Sequence, residues 1–146
     1  MTTGLPIFDK TVQETNLWLK AVMEKLGTED RHRAYVTLKA VLHALRDRLT
    51  PTEASHVGAQ LPILLRGVFY EGWHLAGTPT KERHREEFLD RVRAEFPPGA
   101  AWDAERATRA VFEVIWEKID VGEIADIIAA LPKELGELWA GLGRRA

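Results

Sequence analysis

The sequence predicts an all-α fold, a compact helical bundle of about eight helices, and three observations carry that expectation. Apolar residues recur three and four apart over long stretches, while the strict alternation of a half-buried strand is nearly absent. Capping residues precede several of these stretches, as at Thr50-Pro51-Thr52-Glu53 and Asp120-Val121-Gly122-Glu123. The chain also matches itself without a gap at an offset of 70 residues: Trp18-Leu19 falls on Phe88-Leu89, Ala40-Val41-Leu42 on Ala110-Val111-Phe112, Glu53 on Glu123, Leu61-Pro62 on Leu131-Pro132, and Val68-Phe69 on Leu138-Trp139. The expected organisation is a single domain over 1–146. It holds two tandem four-helix repeats, about 9–73 and about 81–140, joined by a linker at 74–80.

The elements follow in order. Asp9 or Thr11, with Glu14 three residues after Thr11, can cap a first helix striped by Trp18, Leu19, Val22 and Leu26 and ended near Gly27. Thr28-Glu29-Asp30 starts a long second helix with Ala34, Leu38, Val41, Leu42, Leu45 and Leu49 on one side. Thr50, Pro51 and Glu53 supply the cap, the N1 proline and the reciprocal glutamate of a short third helix. Pro62 then opens a fourth whose buried face is Leu64, Leu65, Val68 and Phe69. His74 to Thr80, with its glycine, proline and threonines, reads as a surface connection that ends in a helix start. In the second half Phe88, Leu89, Val92 and Phe96 stripe one helix, Pro97-Pro98-Gly99 breaks it, and Asp103 caps the helix of Val111, Phe112, Ile115 and Ile119. Asp120 and Glu123 repeat the capping box, a last helix follows Pro132, and 141–146 reads as a frayed tail.

Composition narrows the function classes. The chain has 146 residues, long enough to bury about 70% of its unfolded surface. It has no cysteine, which excludes disulfides, thiolate zinc sites and iron–sulfur clusters and suits a reducing cytosol. The first residues lack the basic and apolar regions of a secretion signal, and no apolar run approaches the length of a membrane span, so a soluble cytoplasmic protein with no membrane partner is expected. A net charge of −2 provides no global field for nucleic acid or anionic lipid.

The run His32-Arg33-Ala34-Tyr35 through Leu38-Lys39-Ala40-Val41-Leu42-His43-Ala44-Leu45-Arg46-Asp47-Arg48-Leu49-Thr50, then Gln60-Leu61-Pro62, Tyr70-Glu71-Gly72-Trp73 and Gly77-Thr78-Pro79-Thr80, resembles a bacterial family of uncharacterised conserved proteins, domain of unknown function 2267. The likeness runs from about Phe8 to Trp139 and takes in Arg83-His84-Arg85-Glu86-Glu87-Phe88. It implies an all-α, bacterial, cytoplasmic protein and brings no activity, cofactor or catalytic residue with it.

No residue pattern points to catalysis. Glu53-Ala54-Ser55-His56 has the Glu-x-x-His spacing of carboxylate-bridged metal bundles, but the offset pairs it with Glu123-Ile124-Ala125-Asp126 instead of a second such motif. Thr50, Glu53, Asp120 and Glu123 are therefore assigned to capping, with no metal site and no cofactor expected. The five histidines form no i, i+4 pair, and His43 reads as a surface or boundary residue. His84 as a haem ligand is set aside because its helix start is strongly polar. Ser55, the sole serine, lacks a nucleophile elbow, and no glycine-rich phosphate loop follows a strand. Arg31, His32, Arg33, Lys81, Arg83, His84 and Arg85, with Tyr70 and Trp73 interleaved, could grip phosphates and bases. Glu29, Asp30, Glu82, Glu86 and Glu87 share their turns and offset most of that field, so a salt-bridged face is expected instead.

Function is sought where the halves diverge, since positions shared by both most simply serve folding. Trp18 and Trp139 are core candidates, Trp73 is expected under the linker, and Trp102 and Trp116 lack aromatic counterparts and are candidates for exposed anchors. The candidate binding patch is Arg66, Tyr70, Trp73, His74, Arg83, His84 and Arg85. The expected function is a non-enzymatic protein-interaction module, binding a protein partner or itself. The alternative is an enzyme or small-ligand binder with a His/Arg-lined cleft between the halves. Nucleic-acid binding ranks below both.

Overall fold

Pro6 opens the first helix, α1 (Pro6–Leu26), where its missing amide costs nothing and its fixed φ suits the first turn. The start lies ahead of the Asp9 and Thr11 expected from the sequence. Thr11 instead sits buried inside the helix, and its Oγ1 accepts from the amide of Leu64 at 2.8 Å. In the computed structural model, which describes residues 2–142, seven further helices follow: α2 (Arg31–Arg48), α3 (Pro51–Ala59), α4 (Ile63–Tyr70), α5 (Arg85–Ala94), α6 (Ala104–Lys118), α7 (Val121–Ala130) and α8 (Lys133–Gly136). Short 3-10 turns lie at Leu75–Gly77 and Glu137–Trp139, and among the described residues there is no strand. The fold is all-α. Of the tail expected over 141–146, residues 143–146 lie outside the described residues.

Local chemistry sets most boundaries. Gly27 ends α1 in the left-handed region at φ 70°, a conformation that only glycine adopts at little cost. Asp30 and Asp103 cap α2 and α6, each carboxylate accepting from the amide three residues on at 3.1 Å. α5 begins at Arg85 and not at the linker's end: Glu87 reaches back to the amides of His84 (3.0 Å) and Arg83 (3.2 Å). The linker is tied down, with the Thr80 amide donating to Asp47 O at 2.7 Å and Arg48 Nε to Glu82 O at 2.8 Å.

One contiguous apolar cluster draws on every α-helix. α1 packs against α2, α4 and α6, while α2 packs against α4, α5 and α6. The first and second halves of the chain therefore interleave around a common core. Trp18, Phe69, Phe88, Phe112 and Trp139 are buried in it, with Phe112 stacked on Trp139 at 4.0 Å between ring centroids. Trp73, Trp102 and Trp116 are half-buried, so none of the five tryptophans is the exposed anchor expected of Trp102 or Trp116. Trp102 is held between the edge of Phe96 and the Arg33 guanidinium, 4.9 Å from its ring. His43 is also corrected: it is buried, with Nδ1 2.9 Å from Glu95 Oε2 and Nε2 2.7 Å from Val68 O, and it ties α2 to α4 and to the residue after α5.

Two glycines with opposite surroundings test this packing. A Cβ at Gly58 in α3 would overlap the ring of Tyr70, whereas one at Gly67 in α4 would meet nothing within 4 Å. Gly58→Ala should cost about 1–3 kcal/mol through overpacking. Gly67→Ala should add about 0.5–1 kcal/mol through helix propensity. Urea denaturation followed by helical circular dichroism reads both; equal effects would mean that Tyr70 does not rest on α3.

Candidate functional site

The seven residues of the sequence-predicted patch fall into two groups. Arg66 in α4 turns back over the end of α3: Nε donates to Gly58 O at 2.8 Å, and Nη2 donates to Leu61 O at 3.1 Å and Ala59 O at 3.3 Å. Its charge lies on the negative end of a helix whose carbonyls lack partners, so it is a structural clamp and not a free contact. Tyr70 covers Gly58 and stacks on Trp73 at 5.4 Å, with His74 exposed beyond. The second group stands against α8 and α6. His84 Nδ1 is 2.7 Å from Glu134 Oε2, and Arg85 reaches Glu105 at 3.4 Å and Glu137 at 3.9 Å; Arg83 is exposed. The hydrogen bond to Glu134 raises the His84 pKa and lowers that of Glu134, the behaviour of an exposed ion pair. Among the described residues no hydrogen bond, ion pair or ring contact joins the two groups.

The structure contains an open cleft of about 390 Å³ between α1, the α3–α4 corner and α6. Glu14, Leu17, Trp18, Gln60, Arg66 and Lys118 line it with Leu61, Pro62 and Ile63, and no histidine does. This departs from the His/Arg-lined cleft expected of the enzymatic alternative, and its one arginine is the α3 clamp.

A second concavity, of about 430 Å³, is of different character. Phe8, Thr11 and Val12 of α1 face Ile63, Leu64 and Gly67 of α4, with Thr3 at one end. Phe8 is 56% exposed, Ile63 55% and Leu64 47%, large values for such side chains. Leu64 was expected on the buried face; in fact Leu65 and Phe69 take the core, Val68 is half-buried, and Ile63 and Leu64 look outward. Three successive apolar residues cannot share one face of a helix.

The third feature lies where α3 packs against α7. Thr50 Oγ1 accepts from the Glu53 amide at 3.2 Å, and Asp120 Oδ2 accepts from the Gly122 amide at 3.0 Å. The reciprocal half of each expected capping box is missing. Asp120 N donates to Gln60 Oε1 at 2.8 Å, so Glu123 is not needed there and turns inward. Glu123 is only 6% exposed; its Oε1 and the Oε2 of Glu53 are buried without a hydrogen-bond partner. His56 Nδ1 stands 4.0 Å from Glu123 Oε1, and one ligand atom from each of Glu53, His56 and Glu123 lies within 4.8 Å of the others. Burial pushes the Glu123 carboxyl above its usual range, Glu53 adds to the rise, and His56 offsets part of it.

The model of a family described as an uncharacterized conserved protein, DUF2267, matches residues 15–138. The chain belongs to the DUF2267 family. No curated protein matches it. The DUF2267 match contains the α3–α7 cluster and the α4 wall of the apolar groove, while Phe8 and Val12 precede it. Among the described residues no helix is long and apolar enough to cross a membrane.

Both the groove and the cluster left traces in the sequence. Pro6 marked an earlier helix start, which would have put Phe8 and Val12 on a helix face. Glu53-x-x-His56 was visible, but its third member, Glu123, comes from a helix 70 positions away.

The raised Glu123 pKa fixes a pH dependence. The folded chain keeps this proton at pH values where the unfolded chain has released it, so the contribution is fully present below the ordinary value of 4.5 and is lost as pH rises through the raised one. With chelator present, Glu123→Gln should equal or exceed wild-type stability near neutral pH, and its advantage should shrink towards about pH 4. Denaturant midpoints across pH measure this; a variant clearly weaker at neutral pH would mean that the ionised carboxylate has a stabilising partner.

Proposed function

We propose that this chain is a non-enzymatic protein-interaction module of the bacterial cytosol, and that it self-associates through the apolar groove between α1 and α4. The observation that carries the reading is the asymmetry of that groove. At the offset of 70 residues, Phe8, Val12, Ile63 and Leu64 correspond to Thr78, Glu82, Lys133 and Glu134. An apolar surface in one half is thus polar in the other, and core packing does not require it. The offset itself belongs to the same reading, in which about 9–73 and about 81–140 are two copies of one four-helix unit within a single domain. In support, α3 and α7 begin at residues 51 and 121, and α4 and α8 at 63 and 133.

A second copy is the occupant favoured by shape. An interface related by a two-fold axis must be complementary to itself. This patch offers both a knob and a hole: the protruding ring of Phe8, and a hollow over Gly67 where even a Cβ would touch nothing. Ile63 borders both the groove and the neighbouring cleft, which exposed Leu17 also lines. Arg66, His84 and Arg85 of the sequence-predicted patch are held by carbonyls and carboxylates, which leaves Tyr70, Trp73, His74 and Arg83 as a secondary contact at most.

Sedimentation velocity on the full chain tests the proposal. Between about 1 μM and about 1 mM the wild type should pass from monomer to dimer, the range for a modest apolar interface. Phe8→Glu and Leu64→Glu alter exposed positions, so they should fold normally and stay monomeric throughout. A monomeric wild type, or a dimer indifferent to both substitutions, would remove this surface from the account.

A further inference from the structure

We propose that Glu53, His56 and Glu123 bind one first-row divalent transition cation between α3 and α7. Three observations converge. The Glu-x-x-His spacing puts Glu53 and His56 one turn apart on the same side of α3, and packing against α7 brings Glu123 to them, with one ligand atom from each within 4.8 Å of the others. Glu123, 6% exposed, aims an unpartnered buried oxygen at His56, and Glu53 contributes a second buried oxygen without a partner. Among the described residues no lysine or arginine pairs with either carboxylate, although the other carboxylates that face inward have partners: Glu82 has Arg91, and Glu95 has His43. A buried carboxylate left in this way needs a proton or a cation.

The donor set selects the cation. Two carboxylate oxygens and one imidazole nitrogen suit Zn²⁺, Mn²⁺ or Fe²⁺, whereas Ca²⁺ and Mg²⁺ prefer all-oxygen sets and Cu⁺ prefers sulfur. Two negative charges balance one divalent ion, with His56 neutral and coordinating. Ligand distances of about 2.0–2.2 Å bring the donor atoms within about 3.5 Å of one another, so the present separations, 4.0 Å between His56 and Glu123 and up to 4.8 Å within the set, must shorten as the side chains turn onto the ion. His56 is exposed and free to turn, and the remaining coordination positions open to water on its side. Binding tightens as pH rises, because the metal competes with protons for its carboxylate and imidazole ligands.

The test is calorimetric titration of the chelator-treated full chain with ZnCl₂ and, separately, MnCl₂, paired with thermal melts. The wild type should bind one Zn²⁺ per chain and melt at a higher temperature with it, and Mn²⁺ should bind at the same site more weakly. His56→Ala, at an exposed position, and Glu123→Gln, of the same shape, should each fold without metal, bind Zn²⁺ at least about tenfold more weakly and lose the thermal shift. CaCl₂ should not reproduce the shift. The absence of saturable one-to-one binding of either metal, or an affinity unchanged in both variants because other histidines hold the ion, would overturn the proposal.

Discussion

The buried guanidinium of Arg46 holds the end of α4 in place, and the same physical demand recurs throughout the molecule. Arg46 Nη1 donates to Phe69 O and to Glu71 O, each at 2.8 Å, while Nε engages Asp47 at 2.8 Å. Every helix leaves up to four carbonyls without partners at its end, and eight helices among the described residues multiply that cost. Cationic side chains from neighbouring elements meet it. Arg66 closes α3, Arg106 Nη2 takes Leu26 O at the end of α1 at 2.8 Å, and Arg109 takes Leu138 O and Ala140 O at 3.1 and 2.7 Å. His43 does the same for Val68 O. Several helix starts are met across elements too: Thr11 serves α4, Gln60 serves α7, and Glu134 accepts from the Arg85 amide at the start of α5. Packing and helix termination are thus one problem here, because a clamp works only when the right helices are adjacent.

This division of labour decides what is left for function. Arginine, the residue most suited to phosphates and partner carboxylates, is largely committed to carbonyls or to local ion pairs. A surface rich in Arg and His in the sequence therefore has little free donor capacity in the fold. The features without internal partners lie elsewhere, in the outward apolar residues of α1 and α4 and in the inward carboxylates of α3 and α7. The first calls for an apolar surface to cover it, and the second for a positive charge.

What the sequence disclosed follows the range of the forces involved. Caps that act over three residues, at Thr50, Asp30 and Asp103, could be read directly, as could the core stripe of Trp18, Val22 and Leu26, because helical periodicity announces the buried side. Contacts between distant residues could not. Thr11 meets Leu64 across 53 positions and Gln60 meets Asp120 across 60, and these two bonds displaced the expected caps at Thr11 and Glu123. Arg66 looked available for the same reason: nothing local shows that it folds back onto α3. Leu64 looked buried because hydrophobicity alone does not say which of three adjacent apolar residues faces inward.

Arg46→Met preserves the buried aliphatic stem and removes the donors, and hydrogen exchange with denaturant unfolding reads the consequence. Stability should fall by about 3 kcal/mol, with the amides of α4 losing protection ahead of those of α2 and α6. Wild-type stability together with undiminished protection in α4 would contradict the claim that arginine clamps on helix ends hold this fold together.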